Sequence, residues 1–432
     1  MVKYDLVEHD QLGDVADVLR ASFPVYNIMG LTSEYLEKIM EIDEDVKNGY
    51  IYGAWVDDRL VSVNMVVERR ISIYPSFLPV AGVANVATKP EYRGRGLAKK
   101  LLSHALNDLM EKGFSASVLF AAYGDPAYRI YRRQGYCDLI TYWNRVCVLD
   151  DVDQAMRLIE DRFSKLYGEI KVLDKKKAEN CAGTLKQLYY RFVNKRYRGS
   201  VYRSTARWRG ILVSNPFETW FLGDPDNKVM VLTDGKVHGY SILYYMRDSV
   251  LYRSHDRNAG VVTEVVSRDT EEASALLYAV LKKAKEDGIG TLTFRLQPDI
   301  EEEIPICKRI GSSETLMFKV LDPSKLFDDL RKFIETRPID KIEFGVRSRQ
   351  KDYVVRVSNG KPEIVFTSKL NTEIIIDEAG LLRMLLATST AYDEYRGEYL
   401  IIRNGNVKKT LDTINDFLKG RRRHYLSLID KW

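Results

Sequence analysis

The chain has 432 residues, of which 45% are hydrophobic and 29% charged, and its formal net charge at neutral pH is +5. This composition is typical of globular proteins and gives no reason to expect long disordered stretches. A small basic excess, 66 basic against 61 acidic residues, does not by itself indicate a nucleic-acid partner. At about 150 residues per domain, the length predicts three domains.

Cysteine usage and hydropathy indicate which cellular compartment to expect. The chain has no C-x-x-C pair and no histidine cluster, so the sequence predicts neither a metal site nor a disulfide framework. It has no run of about 18 apolar residues and its N-terminus is charged, so we expect a soluble, cytoplasmic protein without a membrane partner. The cysteines are interpreted as small buried hydrophobes in a reducing compartment: Cys137, Cys147, Cys181 and Cys307.

In the first part of the chain, the apolar spacing predicts helices over residues 10–22 and 33–42 and a β-hairpin over residues 50–67. An irregular, mostly apolar segment, residues 23–30, separates the two helices. A strand over residues 115–121 and a short helix over residues 126–133 are predicted further on.

Between these elements, residues 82–113 predict a strand, a glycine-rich basic loop and a long helix. The loop contains Arg93, Gly94, Arg95 and Gly96, at the point where the first amides of the helix lack partners. Glycines let an anion approach closely, and the helix dipole favours its negative charge. The loop therefore predicts a phosphate site, the alternative being an ordinary strand-to-helix turn with solvated arginines.

The spacing of this stretch, Arg-x-x-Gly-x-Ala directly between a strand and a helix, resembles the acetyl-CoA signature of the GNAT acetyltransferases. The resemblance implies acetyl-CoA as cosubstrate. It also implies that the strand holds the pantetheine arm through Val86, Ala87 and Thr88, with the Val86 amide polarising the thioester. The residues implied to hold the pyrophosphate are Arg93, Gly94, Arg95, Gly96, Leu97 and Ala98.

A second segment, residues 130–136, resembles the GNAT element that ends in Tyr-x-x-x-Gly-(Phe or Tyr). In that family the first tyrosine faces the thioester sulfur, which implies that Tyr131 gives its proton to the departing thiolate. The alternative is that Tyr131 is one more packed aromatic residue among 27 tyrosines.

The same order of elements recurs later in the chain, with residues 260–296 following the pattern of residues 82–120. The loop chemistry does not recur, since Asp269, Glu271 and Glu272 place negative charge where a pyrophosphate would lie. We therefore interpret residues 150–318 as a degenerate repeat, with residues 186–209 as a basic helical insert on its surface.

The last part, residues 319–432, predicts a small α+β domain that resembles the sterol carrier proteins. The chain as a whole resembles the Eis-type acetyltransferases in the order of its parts: an active GNAT fold (residues 1–149), a degenerate GNAT fold (150–318) and such a domain. The fold class is therefore α/β (α+β), with tandem GNAT folds and an α+β third domain. The resemblance implies a homo-oligomer, since Eis-type proteins form rings of six, and a catalytic base in the C-terminal carboxylate, here Trp432.

The acceptor pocket of GNAT folds is usually lined by the segment between the first helices, here by Phe23, Tyr26 and Met29. We expect transfer of an acetyl group to a primary amine of an aminoglycoside-like or polyamine-like small molecule, or of a protein lysine or N-terminus. The alternative function is a lipid carrier or an acetyl-CoA-sensing scaffold. Nucleic-acid binding would rest on the basic residues 421–423 and 195–209, and no binding motif accompanies them.

Overall fold

The computed structural model describes residues 1–47, 49–162, 169–213, 227–245, 259–419 and 422–427. For six residues within these ranges only the backbone is described: Met29, Ile42, Leu149, Val213, Asn227 and Ser313.

The strands of this described part are β1 (Val2–Leu6), β2 (Tyr50–Val56), β3 (Arg59–Ile73), β4 (Ser76–Thr88), β5 (Ala116–Ala122), β6 (Cys137–Val148), β7 (Glu169–Leu173), β8 (Tyr197–Arg198), β9 (Asn227–Thr233), β10 (Val237–Tyr245), β11 (Ala259–Val266), β12 (Thr291–Phe294), β13 (Lys308–Val320), β14 (Lys341–Arg347), β15 (Tyr353–Ser358), β16 (Lys361–Phe366), β17 (Ile374–Asp377), β18 (Leu400–Ile402) and β19 (Arg423–His424).

The α-helices of the same part are α1 (Leu12–Ser22), α2 (Pro24–Met29), α3 (Ser33–Ile42), α4 (Glu44–Lys47), α5 (Leu97–Glu111), α6 (Pro126–Arg133), α7 (Leu149–Arg162), α8 (Lys175–Asn180), α9 (Ala182–Tyr189), α10 (Thr205–Val213), α11 (Thr270–Glu286), α12 (Pro298–Glu303), α13 (Pro323–Asp329), α14 (Arg331–Glu335), α15 (Glu378–Leu385), α16 (Ala391–Arg396) and α17 (Val407–Leu418). Short 3₁₀ helices lie at His9–Gln11 and Pro90–Tyr92, and a π-helical turn at Tyr190–Asn194.

A single 12-stranded sheet contains both predicted repeats, in the order β1-β2-β3-β4-β5-β13-β6-β12-β11-β10-β9-β7. Each copy contributes five strands in the same order, counted from its own end of the sheet inward. Strands β1–β5 of the first copy correspond to β7, β9, β10, β11 and β12 of the second. Helix α5 packs on β3 and α11 packs on β10, at equivalent places. The internal repeat read from the sequence is therefore present in the topology.

The last strands of the two copies are exchanged. Strand β13, from the second copy, pairs antiparallel with β5 of the first, with Phe318 opposite Val118. Strand β6, from the first copy, pairs antiparallel with β12 of the second, with Arg145 opposite Phe294. The sheet is thus continuous across the boundary predicted at residue 149, and the predicted bounds of the domains stay a prediction.

The third part of the chain forms a five-stranded sheet, in the order β16-β15-β14-β17-β18, with helices packed against it. Phe344 on β14 contacts Phe417 on α17 in the interior, with ring centroids 6.3 Å apart. This core continues onto the large sheet through Leu316 and Leu139. This arrangement of strands and helices agrees with the α+β fold predicted for this part of the chain.

Three expectations from the sequence are wrong. The segment predicted as irregular, residues 23–30, contains the helix α2 (Pro24–Met29). The segment predicted as a basic surface insert is largely buried, because Tyr189, Phe192 and Trp208 pack with β10 in a core of their own. Cys147 and Cys307 form a disulfide with Cα atoms 4.9 Å apart. They were separated by 160 residues in sequence, but the pairing of β6 with β13 brings the start of β13 beside the end of β6.

Among the described residues, no helix is both long enough and apolar enough to cross a membrane.

Candidate active site

Strands β4 and β5 separate where the GNAT resemblance places the acetyl-CoA arm. They pair in parallel only from Val80–Ala116 to Gly82–Val118. Beyond Gly82 the second half of β4, which carries Val86, Ala87 and Thr88, has no ladder to β5 among the described residues. The opening exposes a strand edge whose backbone groups can bond a ligand.

A β-bulge lies in this separated half of β4. Val63 on β3 opposes Ala87, and Met65 opposes Ala84, so that Asn85 and Val86 together oppose one residue of β3. Asn85 has a φ of 50°. A bulge of this kind turns backbone groups away from the ladder, so Val86 is placed to offer its amide outside the sheet.

The neighbouring residues of β4 are held from behind by a serine on β3. The Ser62 hydroxyl donates to the Ala87 carbonyl at 2.7 Å and lies 2.8 Å from the Thr88 hydroxyl. Ser62 is fully buried, so this contact fixes the strand from the interior side. The opposite side of the strand stays open to a ligand.

The loop after β4 leads into α5 without any side-chain cap. Gly94 and Gly96 have φ values of 77° and 74°, the left-handed region that favours glycine, and Gly96 is the N-cap residue of α5. A Cβ added at either glycine would meet nothing within 4 Å. The first amides of α5, beginning at Leu97, thus have no side-chain cap, and an uncapped helix N-terminus is the arrangement that binds phosphate in other proteins.

Two arginines flank this loop, and neither has a carboxylate partner among the described residues. Arg93 donates to the Thr88 carbonyl at 3.0 Å and to the Ser22 carbonyl at 3.4 Å, which joins the loop to the end of α1. Arg95 donates to the Glu91 carbonyl and stacks on the Tyr92 ring. Their positive charge is left available for an anion.

The residues present thus fit acetyl-CoA: an open helix N-terminus with two arginines for the pyrophosphate, and a free strand edge for the arm. No group of three or more histidine, cysteine, aspartate or glutamate side chains that could hold a metal occurs in the described part of the chain.

Tyr131 lies on α6, in the core cluster that also contains Val83 and Leu119 of the separated strands. Its ring is 6.0 Å from that of Tyr136, and its hydroxyl donates to none of the described residues. Burial, and secondarily the Asp125 carboxylate, raise the pKa of Tyr131 above its ordinary value. The phenol therefore carries its proton throughout the neutral range.

Three contacts from elsewhere in the chain hold the C-terminal end of α6. The Lys319 ammonium, on the exchanged strand β13, donates to the Gln134 carbonyl at 2.6 Å. Arg349, after β14, donates to the Arg132 carbonyl. The Gln134 side chain donates to Ser103 on α5 at 2.8 Å. Cations at a helix C-terminus satisfy its free carbonyls and its dipole, so they fix the helix that carries Tyr131.

On the predicted acceptor side, Tyr26 reaches the bulge. Its hydroxyl donates to Asn85 Oδ1 at 2.8 Å, and its ring packs edge-on against Phe23 at 5.5 Å. The Asn85 amide donates in turn to Met65 Sδ. The structure therefore brings Phe23 and Tyr26 together beside Val86, while the side chain of Met29 lies outside what is described.

Trp432 also lies outside the described residues, which end at Ser427. The segment before it is buried: His424 lies 2.7 Å from the Tyr142 hydroxyl, and Arg295 donates to the Leu426 carbonyl. Ser427 donates to the Thr263 carbonyl on β11 at 2.9 Å. The tail is therefore anchored between the two copies.

The second copy has a bulge at the equivalent place, with Ile242 opposite Glu264 and Leu243 opposite Val262. Glu264 stands where Val86 stands in the first copy, four residues after the matching glycine. Its carboxylate is fully buried and bonds both terminal nitrogens of Arg203, at 3.0 and 2.7 Å. Tyr240 donates to the same carboxylate. At the position that corresponds to Val86, the second copy therefore has a buried carboxylate with side-chain partners.

The start of α11 in the second copy is capped. Asp269 accepts a hydrogen bond from the Glu272 amide at 3.0 Å, and Glu272 accepts one from the Arg268 amide at 2.8 Å. The loop that the sequence analysis interprets as degenerate thus supplies side-chain hydrogen-bond partners to backbone amides at the start of its own helix.

Sequence reasoning missed three residues that shape the site: Asn85, Ser62 and Lys319. A residue with positive φ in a strand gives only a weak signal, since asparagine is common in that region of the backbone map. Ser62 and Lys319 act through contacts that form only when strands pair in the folded protein. A single sequence does not indicate such contacts.

Comparison with known proteins finds similar sequences in the first part of the chain. Residues 3–137 match the family described as an acetyltransferase (GNAT) domain. The uncharacterized N-acetyltransferase YhbS of Escherichia coli strain K12 is 30% identical over 115 residues, which cover 26% of this chain and 65% of that relative.

Solved structures are similar along the whole chain. A GCN5-related N-acetyltransferase from Anabaena variabilis has a TM-score of 0.70 at 18% identity, with 100% of both chains covered. Eis1 from Mycobacterium abscessus has a TM-score of 0.64 at 17% identity, with 99% of both chains covered. Residues 3–137 are thus similar to acetyltransferase (GNAT) domains, and over its whole length the chain has the fold of Eis1 and of the related solved structures.

Proposed function

We propose that this protein is an acetyl-CoA-dependent N-acetyltransferase that acts on a primary amine of a small molecule or of a protein. The observation that carries the proposal is the open, uncapped N-terminus of α5 beside the bulged, separated half of β4. The equivalent helix of the second copy is capped by Asp269, and this contrast supports the proposal.

In this proposal the arginines and amides of residues 93–98 bind the pyrophosphate, and Val86, Ala87 and Thr88 hold the arm by strand-like hydrogen bonds. Acetyl-CoA supplies the acetyl group as a thioester. The Val86 amide donates to the oxygen that becomes negative during attack. The bulge gives this amide its position.

Tyr131 gives the proton that the leaving sulfur needs. Its raised pKa keeps the proton on the phenol but makes its donation more uphill toward a thiol of pKa about 8.5. Donation is therefore concerted with the growth of negative charge on sulfur.

The acceptor must lose a proton, because a lysine-like amine with a pKa near 10.4 is uncharged in about one molecule in 2,500 at neutral pH. We keep the α-carboxylate of Trp432 as the proposed base and Phe23, Tyr26 and Met29 as the proposed acceptor side. Among these, Tyr26 and Phe23 have the supporting contacts to the bulge.

The test is release of free CoA thiol from acetyl-CoA with a panel of aminoglycosides, polyamines, and peptides with a free N-terminus or a lysine. Release with one amine class, well above hydrolysis, supports the proposal and names the acceptor. Acetyl-CoA binding without release by any amine would favour the carrier or sensor function. A variant with one residue added after Trp432 separates the two roles: a lower rate with unchanged acetyl-CoA affinity supports the carboxylate as base, and an unchanged rate removes it.

A further inference from the structure

A pocket of about 620 Å³ lies at the other end of β4 from the phosphate loop. It is bounded by Arg70 and Phe77 of the first copy and by Lys186, Tyr190 and Tyr202 from the segment around α9. Phe77 and Thr88 are eleven residues apart on one strand, which corresponds to about 36 Å at roughly 3.3 Å per residue. The pocket is therefore separate from the acetyl-transfer site.

The walls of this pocket are aromatic. Phe77 lies nearly parallel to Tyr190 with ring centroids 6.1 Å apart, and 5.3 Å from the Tyr202 ring. All three rings are only partly buried, and each of them lines the pocket. Such a surface stacks a flat aromatic ligand.

The charged side chains that line this pocket are positive. Lys186 donates to the Thr205 hydroxyl at 3.0 Å and lies over the Tyr202 ring, and Arg70 is exposed. Neither cation has a carboxylate partner among the described residues, and no carboxylate lines the pocket there. Two unneutralised cations beside aromatic rings disfavour an amine and favour an anion.

The local structure holds this pocket open between the copies. Residues 199–202 pair with the free edge of β3, since the Gly199 amide donates to the Ser72 carbonyl and the Tyr202 amide to the Arg70 carbonyl. Asn194, fully buried, donates to Ser200 and Val201 and so fixes the turn behind Tyr190. The rings and cations are thus carried by rigid elements.

We propose that this pocket is a second ligand site that binds a mononucleotide, with the base stacked on the aromatic wall and the phosphate held by Arg70 and Lys186. The volume lies in the range of small-ligand pockets, roughly 300–1,000 Å³. The guanidinium and the ammonium match the two kinds of phosphate contact that proteins use.

The experiment is calorimetric titration of the full chain with AMP, adenosine and inorganic phosphate. We expect saturable binding of AMP, tighter than that of either fragment, because the ring and the phosphate contribute together. The variant Arg70→Gln/Lys186→Gln should weaken AMP binding by at least about tenfold, since two charge-assisted contacts are lost. It should leave acetyl transfer without AMP unchanged.

The matched control is Arg59→Gln/Lys236→Gln, which removes the same charge from two surface positions outside the pocket and should keep the AMP affinity. Arg95→Gln, in the phosphate loop, should also keep it. Loss of AMP binding in Arg95→Gln together with retention in Arg70→Gln/Lys186→Gln would overturn the proposal, because AMP would then occupy only the acetyl-CoA loop.

Two further results would overturn it. Binding of polyadenylate without binding of AMP would indicate a nucleic-acid surface. A change of oligomeric mass in Arg70→Gln/Lys186→Gln by analytical ultracentrifugation, without AMP binding to the wild type, would show an interface between copies of the chain.

Discussion

The two copies of the repeat share a topology and a bulge but differ at the start of one helix. In the first copy α5 begins at a left-handed glycine with no side-chain cap. In the second, α11 begins at Asp269, whose carboxylate caps it. If the proposed function is correct, an anion site in this fold is kept by leaving a helix end without side-chain partners, and is lost once side chains cap that end.

The largest expected effect comes from Tyr131, the proposed acid of the first copy. Tyr131→Phe should lower kcat by about 10²–10⁴-fold, the usual contribution of a positioned acid, with acetyl-CoA affinity unchanged. The measurement is steady-state CoA release with the best amine. Tyr128→Phe, on the same helix, is the control and should stay near the wild-type rate.

The pH profile tests the same role. Because burial raises the pKa of Tyr131, the phenol stays protonated and the rate should not fall on the alkaline side below about pH 10. An alkaline limb below that value, absent from Tyr131→Phe, would contradict the raised pKa.

The second prediction concerns stability in the second copy. Glu264→Gln removes the negative charge that accepts two hydrogen bonds from the buried Arg203 guanidinium, and breaking a buried ion pair of this kind costs roughly 3–5 kcal/mol. Chemical denaturation followed by circular dichroism measures the loss. Val86→Ala, at the equivalent position of the first copy, should cost far less. Equal losses at both positions would show that the copies do not differ here.

The third prediction transfers the cap to the first copy. Gly96→Asp, which imitates Asp269, should raise the KM for acetyl-CoA by about a hundredfold through repulsion of the pyrophosphate. Gly96→Asn imposes the same backbone strain at a φ of 74° without the charge, so it should raise KM much less. If the two variants behave alike, backbone strain and not charge controls the loop.

The smallest effect is expected at Lys319, a positioning residue. Lys319→Met removes the donor to the Gln134 carbonyl and should lower kcat by about tenfold, since a small displacement of α6 misplaces Tyr131. Lys319→Arg should restore most of the rate. A stability loss with unchanged kcat would make the contact purely structural.

Much of this arrangement could be predicted from the sequence. The loop, the repeat and its lost chemistry follow from local patterns, such as glycine and arginine spacing or Asp269 before a helix. Glu264, at the Val86 position of the second copy, pairs with the buried Arg203, which lies in a segment predicted to be a surface insert. The burial of Arg203 depends on a carboxylate 61 residues further along the chain. The disulfide and the Lys319 contact likewise depend on strand exchange, which local patterns do not encode.

The exchange of β6 and β13 has a consequence for synthesis on the ribosome. The edge of β5 finds its partner only when residues 308–320 have emerged, roughly 190 residues after β5 itself, which takes on the order of 10–40 s at ribosomal rates. Until then the first copy presents an unpaired strand edge, the kind of surface that recruits neighbouring chains. A nascent chain of this protein therefore exposes that edge until the second copy has been made, and we expect a fragment ending near residue 149 to aggregate.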